Sequence, residues 1–533
     1  MITALEIENY RGFGKRQRID LSSVNLFYGA NSAGKSTVIN ALLFIHEFMV
    51  MGNESPERSL LGGRFVNFGS YRELAHKGDQ SKPIHIKIEL FFDWKISGQD
   101  WGRGYTMEGF DPKTTAETVA IEFIFESIDN MPKISSYVFF VGNQKIAEIN
   151  LLHEVGTGEK LYHTYFYKDL YKTTLKYNGT HPCCPVDSEW KSVIEDEFYA
   201  SEKVLSRSNF FGYGKNELLL NQDRTKELDR QRDFFVGWMI GISKQLVAEL
   251  ENFIPIGPLR EIPQDFHARR GNNINRVANG LSAWDNLATL PPHETEKFNK
   301  WLGEEGLDLG YKMFPVIFAP LDGRSNEKGE TRYSEHSIRW DLISNANGSI
   351  SSEVMRRIEF YKTDEKKGGE DDNEWRLMPT SLGVGLSQIV PIIYHCLNSV
   401  SVTRFPSKIL AIEQPELHLH PRAQTRLGDL FIACFGDEDN DYVNNETLIT
   451  QQQVVAETHS EHLILRILRR IRETTNGILP ASMKPVTTSR VAVYYFTSSE
   501  EGTIAKRLHI NDQGEFIDSW PNGFFEERLE ELF

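Results

Sequence analysis

The chain predicts an α/β fold, with a phosphate-binding mixed sheet beside an antiparallel β lobe and a mixed α+β insertion. Three observations carry this. A glycine loop, Gly29 to Thr37, follows a short strand and opens an apolar helix. Period-two alternation recurs between Pro83 and Leu152. Two apolar runs, Ile409–Ile412 and Val454–Thr458, end at Glu413 and His459, as buried parallel strands end at a ligand site.

The first element in order is a pair of strands around a turn, Ile2–Glu8 and Arg18–Leu21, with Asn9-Tyr10-Arg11-Gly12-Phe13 between them. Val24–Tyr28 then reads as a strand and Ser36–Met49 as a helix, its apolar face given by Val38, Ile39, Leu42, Leu43 and Ile45. The loop between them, Gly29-Ala30-Asn31-Ser32-Ala33-Gly34-Lys35-Ser36-Thr37, satisfies G-x-x-x-x-G-K-[ST]. Strand, glycine loop and helix bring backbone N–H groups and a helix N-terminus to a phosphate chain. The pattern predicts a nucleoside triphosphate, with Lys35 on its β- and γ-phosphates and Ser36 on Mg²⁺.

From Pro83 onward, Ile84, Ile86, Ile88 and Leu90 alternate with His85, Lys87 and Glu89, and Thr118–Glu126, Ser136–Val141 and Lys145–Leu152 continue the theme. The spacing predicts an antiparallel sheet and not a further βαβ unit. Residues 153–215 are aromatic-rich and read as an irregular packed insertion, although Tyr162, Tyr165, Phe166, Tyr167 and Tyr171 could also stack bases. Asn216–Phe253 reads as helix, stopped by Pro255 and Pro258, and Lys362–Glu374 as a solvent loop. Three regions result: 1–152, 153–375 and 376–533.

The third region carries chemistry. Thr380–Val390 is a small-residue turn feeding an apolar helix through Cys396. Glu413 ends a buried strand, where a carboxylate can reach Mg²⁺ or its water shell across from Lys35 and Ser36. His459 ends another, where an imidazole can hydrogen-bond a γ-phosphate or an attacking water.

Composition narrows the partners. The 533 residues are 40% hydrophobic and 25% charged, as in ordinary globular proteins. No apolar run is long enough to span a bilayer, and the N-terminus lacks the pattern of a signal peptide. Cys183, Cys184, Cys396 and Cys434 make neither a disulfide framework nor a C-x-x-C metal spacing. The expected compartment is the cytoplasm, with no membrane partner. A net charge of −16 excludes bulk adsorption to DNA, so any nucleic-acid contact needs a local basic patch. The two candidates are Arg466, Arg469, Arg470 and Arg472 on one helix, and Arg260, Arg269, Arg270 and Arg276 in a loop-rich stretch. Both read more simply as solvated or ion-paired surface.

Taken together and in this order, Gly29–Thr37, Ser381–Gln388, Glu413-Gln414-Pro415-Glu416-Leu417-His418-Leu419-His420-Pro421 and Glu457-Thr458-His459-Ser460 resemble the ABC-type ATPase heads of the SMC, RecF and OLD families. The resemblance is strongest to the OLD-like AAA-type ATPases of bacteria, several of which serve anti-phage systems such as Septu and Gabija. The closing Ser519–Arg528 looks like the C-terminal domain that marks one branch of that group. The resemblance implies ATP and Mg²⁺ as cofactors and a homodimer, or higher homo-oligomer, of heads with ATP sandwiched between subunits. Gly29 to Thr37 would hold phosphate and metal in cis. Gly383, Gly385 and a hydroxyl, Ser381 or Ser387, would reach the partner's ATP in trans.

Two departures qualify that picture. There is no Leu-Ser-Gly-Gly-Gln signature, which leaves its register open. The glutamate that usually follows the metal carboxylate is here Gln414, which can orient a water but cannot accept its proton. Glu416 could take that role, or hydrolysis is slow. The expected activity is therefore an ATP-binding, slowly hydrolysing switch in defence, acting on a separate effector, a nuclease, in response to DNA or a phage-derived trigger. The residues after His459 are too few for a Toprim nuclease domain and lack an Asp-x-Asp cluster. The alternative is a RecF-like ATPase that binds DNA in repair.

Overall fold

The computed structural model describes residues 1–50, 69–91, 113–114, 118–155, 159–167, 175–176, 193–201, 239, 241–263, 275–320, 333–337, 355–363, 376–398, 408–434 and 452–521. In chain order the strands are β1 (Ile2–Glu8), β2 (Gln17–Asp20), β3 (Val24–Gly29), β4 (Ile84–Phe91), β5 (Lys113–Thr114), β6 (Thr118–Ile128), β7 (Met131–Val141), β8 (Gln144–Val155), β9 (Glu159–Tyr167), β10 (Leu175–Lys176), β11 (Val193–Ser201) and β12 (Phe253–Ile256). They continue with β13 (Tyr311–Pro320), β14 (Tyr333–Ser337), β15 (Met355–Lys362), β16 (Arg376–Leu377), β17 (Lys408–Glu413), β18 (Gln452–Glu457), β19 (Val491–Ser499) and β20 (Gly502–Leu508). The helices used below are α1 (Lys35–Met49), α2 (Leu281–Leu287), α3 (Pro292–Leu302), α4 (Val384–Leu397), α5 (Pro421–Ala433) and α6 (Glu461–Thr475).

A six-stranded sheet, ordered β12-β17-β18-β3-β19-β20, forms the centre. Its strands are parallel except for the closing β19–β20 hairpin. Alternation along each strand feeds two cores. Ile409, Ala411, Val455, Phe27, Tyr494 and Phe496 face one, shared with α1 and the antiparallel sheet. Leu410, Ile412, Val454, Ala456, Leu26 and Val493 face the other, shared with α2 to α6. Both faces are covered, which is why these strands read as continuous apolar runs.

The antiparallel lobe is larger than the alternation predicts. Its order is β11-β9-β8-β7-β6-β4-β1-β2, with every pairing antiparallel, and it runs on past residue 152 through β9 and β11. The Tyr162–Tyr167 segment, expected to be irregular, is strand: Tyr, Phe and Thr are strong strand formers, and closely spaced aromatics leave no clear polar–apolar alternation in the sequence. Tyr171 and the Cys183–Cys184 pair lie outside the described residues, as do residues 216–238 of the expected Asn216–Phe253 helix, whose described stretch 241–251 is helical.

The sequence reading misses β12. Phe253 does not end a helix but starts a short parallel strand at the sheet edge, beside β17. Pro255 disguises it, and an edge is where a proline is tolerated in a strand. A smaller antiparallel sheet, β14-β13-β15-β16, adjoins the helical layer. Among the described residues no helix is long and apolar enough to cross a membrane.

Candidate nucleotide site

The loop between β3 and α1 is shaped by positive-φ residues: Gly29 at 140°, Ser32 at 62° and Gly34 at 101°. Glycine is required twice over at Gly34, because a Cβ there would lie 2.4 Å from Thr503 Oγ1. Thr503, on the β19–β20 hairpin, donates its hydroxyl to the Ala33 carbonyl at 3.0 Å and so backs the loop. Ala30, Asn31 and Ser32 form its exposed tip, whereas Ala33, Lys35 and Thr37 are buried. No side chain caps α1 at Gly34, and its first turn carries no acid, so its N-terminal N–H groups and dipole face the loop unopposed.

Lys35 is only 3% exposed. Its ammonium donates to the carbonyls of Gly29 at 3.0 Å and Ala30 at 2.9 Å, and lies 3.7 Å from Glu457 Oε1. Burial lowers its pKa, with Glu457 opposing the shift. Ser36 Oγ donates to Glu457 Oε2 at 2.5 Å.

Three strand ends are brought level by register: Glu413 pairs with Glu457, and Glu457 with Phe27. β18 therefore stands between β17 and the loop strand. Glu413 is half-buried, and burial, reinforced by Glu457, pushes its carboxyl up to about 7. Gln414 adopts φ 46° and donates its N–H to the Glu457 carbonyl at 2.8 Å, which ties the turn after β17 to the end of β18. Glu416 has both oxygens engaged: Oε2 accepts from Thr458 Oγ1 and Oε1 from the His459 N–H, each at 2.8 Å. His459 is thereby held beside the loop. Its Nε2 is buried without a hydrogen-bond partner, and burial, assisted by Lys35, lowers its pKa.

Thr380–Gln388 forms a 3₁₀ turn, Pro379–Ser381, and the start of α4. Ser381 and Gly383 are exposed, and Val384 is 53% exposed. Ser387 is turned inward and donates its hydroxyl to the Val384 carbonyl at 2.8 Å. Gly385 packs on the turn after β17, where a Cβ would lie 2.5 Å from the His418 carbonyl. The same glycine-tight contact joins the signature-like segment to the Glu413–His420 turn.

Two residues lie outside the sequence reading of the site. Glu457 was legible as an acid one place before Thr458-His459, yet only the sheet order reveals that it, and not Glu413, lies against Ser36. Arg260 looks basic and surface-bound in sequence but is 4% exposed. From the turn after β12 its guanidinium donates to the carbonyls of Glu413 at 2.7 Å, Gln414 at 3.4 Å and Gln388 at 3.4 Å. Burial lowers its pKa to about 10. Its backbone N–H and carbonyl pair with the Gln388 side chain at 2.9 and 2.7 Å.

Four of the other candidate arginines are ion-paired. Arg470 binds Asp429 at 2.6 Å and Glu473 at 2.5 Å, Arg466 binds Asp429 at 3.2 Å, and Arg469 binds Glu473 at 2.6 Å. Arg276 pairs with Asp285 at 2.6 Å. Arg472 is exposed, and Arg269 and Arg270 lie outside the described residues. Ion pairing accounts for Arg276, Arg466, Arg469 and Arg470, of which Arg470 is buried and not at the surface.

Residues 1–464 match the family described as AAA ATPase domain, AAA_15. The chain belongs to that family. The assignment agrees with the AAA-type resemblance carried by the motifs and makes the glycine loop part of an ATPase domain. Residues 486–533 match a second family, described as Protein of unknown function (DUF3696). In the described part of that segment Trp520 packs edge-on against Tyr28 of the loop strand, with ring centroids 5.3 Å apart.

No curated protein matches the chain. Among solved structures, an SmcHead bound to the C-winged helix domain of ScpA has a TM-score of 0.37 and 10% identity, covering 95% of this chain and 98% of its own. The SMC head domain from Thermotoga maritima gives 0.35 and 9%, covering 96% and 99%. A Pyrococcus furiosus Smc head complex with ScpA gives 0.35 and 10%, covering 100% and 98%. Likenesses this low assign nothing further to this chain.

The residues present fit Mg²⁺ and ATP. An uncapped helix N-terminus, a buried lysine, a serine hydroxyl, two carboxylates and an unpartnered imidazole nitrogen converge at the carboxyl ends of the adjacent interior strands β17, β18 and β3.

Proposed function

We propose that this AAA-family ATPase binds Mg²⁺ and ATP at the Gly29–Thr37 loop, hydrolyses ATP slowly, and closes against a second copy as a nucleotide-dependent switch. Bound Mg²⁺ supplies charge neutralisation along the phosphates. Lys35 adds a second positive charge, and the N–H groups at the start of α1 give directional donors. Glu413, Glu457 and Ser36 provide the oxygen ligands or their supports. His459 Nε2 is the group free to hydrogen-bond the terminal phosphate or a water.

The observation that carries slow turnover is Gln414 in the place after Glu413, with the nearby Glu416 held in the His459 turn. Gln414 cannot take a proton, and both Glu416 oxygens already accept hydrogen bonds that fix the His459 turn. General-base assistance contributes about 10²–10⁴ in rate, so its loss favours a long-lived ATP state.

The exposed Ser381, Gly383 and Val384 at the start of α4 support contact with a partner's ATP in trans, with Ser381 as the available hydroxyl because Ser387 is used internally. The motif resemblance to ATPases of anti-phage systems supports a regulatory role in defence, with a separate nuclease as effector and DNA or a phage product as trigger. Light scattering and co-purification with and without ATP test this reading. Wild type should dimerise and retain its effector only with ATP, and Lys35→Ala should do neither. An unchanged assembly in Lys35→Ala would remove ATP from the switch.

A further inference from the structure

We propose that Trp520, in the C-terminal segment matched by the family of unknown function, is a positioning residue for His459 and acts through the Tyr28 hydroxyl. This rests on the ATP-binding reading above and deepens it, placing control of the His459 turn in a segment outside the ATPase-domain match.

Tyr28 joins the two ends of the site. It is the residue before Gly29 of the glycine loop, and it is fully buried. Its ring belongs to the helical core, and its hydroxyl donates to the Ser460 carbonyl at 3.0 Å. Burial, with Glu416 and Glu461 nearby, raises its pKa well above the ordinary tyrosine value, so the donor keeps its proton. Ser460 follows His459 and is the N-cap of α6. Its hydroxyl accepts from Leu463 N–H at 3.2 Å and donates to Gln424 at 2.8 Å. Glu416 therefore holds the His459 turn from the turn after β17, and Tyr28 holds it from the loop strand.

Trp520 in turn fixes the Tyr28 ring. The two rings meet edge to face, with centroids 5.3 Å apart and planes at 86°. Trp520 also packs edge-on against Tyr495 of β19 at 6.0 Å and Phe516 at 5.1 Å. The segment that carries it is a clasped hairpin. Ile510 bridges Phe516, Ile517 N–H donates to the His509 carbonyl at 2.8 Å, and Asp518 accepts the His509 N–H at 2.7 Å. Gly514, at φ 65°, sits against the Leu468 carbonyl of α6, where a Cβ has no room. The hairpin tip thus rests on the helix that follows His459, and its end rests on the strand that enters the glycine loop. Core filling alone would leave turnover indifferent to Trp520, whereas these contacts tie it to the group facing the terminal phosphate.

The test is a double-mutant cycle on the full chain, at a temperature where every variant is folded. It reads affinity for a fluorescent ATP analogue, single-turnover ATP cleavage and stability in urea. Tyr28→Phe keeps the ring and removes the hydroxyl. It should lose about 10-fold in cleavage rate and stay within about 2-fold in nucleotide affinity, because the disturbed group acts on the reacting phosphate or water. Trp520→Ala should lose a similar factor, and Trp520→Phe should recover most of it; Trp520→Leu replaces Trp520→Ala in the cycle if the alanine variant does not fold. The double variant should cleave no more slowly than Tyr28→Phe alone, while its stability losses add, since ring packing and hydroxyl are removed separately. Rate losses that add, or wild-type cleavage in either single variant, would overturn this inference and leave the nucleotide reading intact. Absence of ATP binding or cleavage by wild type would overturn that reading and the inference with it.

Discussion

The Glu416 carboxylate closes over the backbone of His459, accepting its N–H at 2.8 Å with one oxygen while the other takes the Thr458 hydroxyl. A residue that sequence order offers as a replacement base is, in the fold, the clasp that joins the turn after β17 to the turn after β18. Glu416→Ala should therefore destabilise the protein by about 1–3 kcal/mol in urea denaturation, because two inward-facing donors lose a charged acceptor. Glu416→Gln separates the roles further. A clasp predicts partial loss of stability with residual hydrolysis, whereas a proton acceptor would predict full stability and no hydrolysis.

Arg260 is predicted to act as a buried strut. Its guanidinium spans β17 and α4 through the Glu413, Gln414 and Gln388 carbonyls, and no carboxylate pairs with it directly among the described residues. Arg260→Ala should cost about 2–4 kcal/mol, since three carbonyl acceptors lose a charged donor. Arg260→Lys should rescue little, because an ammonium cannot reproduce the planar fork. Chemical denaturation measures both.

Charge reversal on α6 should act on stability and not on nucleic-acid affinity. Arg470 is buried against Asp429 and Glu473, so Arg470→Glu leaves like charges facing one another and should cost about 3–5 kcal/mol. Arg472→Glu, on an exposed position, should stay within about 0.5 kcal/mol. A folded Arg470→Glu protein that had lost salt-dependent DNA binding would reverse this conclusion.

The raised carboxyl of Glu413 gives a pH dependence of defined sign. Burial and Glu457 hold its pKa at about 7 in the folded, nucleotide-free protein, above the usual glutamate value of 4.5. Between those values the folded state binds the extra proton, so this group's contribution to stability falls as pH rises from 4.5 through 7. Melting temperatures of the nucleotide-free protein should fall across that window, and Glu413→Gln should flatten the decline.

The central strands were legible because burial on both faces writes itself as apolar runs, and the loop was legible because G-x-x-x-x-G-K-S encodes its own turn. β12 was hidden by Pro255 and by its length, and β9 by closely spaced aromatics that blur the alternation in its sequence. Lys35, Ser36, Glu413 and His459 could be assembled from their strand ends. The contact between Ser36 and Glu457 could not, because it depends on which strand lies next to β3, and sheet order is not written in any one segment. Arg260 was misplaced for a related reason: sequence shows its charge but not the carbonyls that receive it.

On the function proposed above, ATP is held at this loop and turned over slowly. Single-turnover measurement with Mg²⁺ and ATP, following binding and phosphate release in one experiment, tests it most directly. The structure predicts binding that Lys35→Ala abolishes and turnover well below ~1 s⁻¹, under the usual range for enzymes. Phosphate release at tens per second, or binding that survives Lys35→Ala, would contradict it.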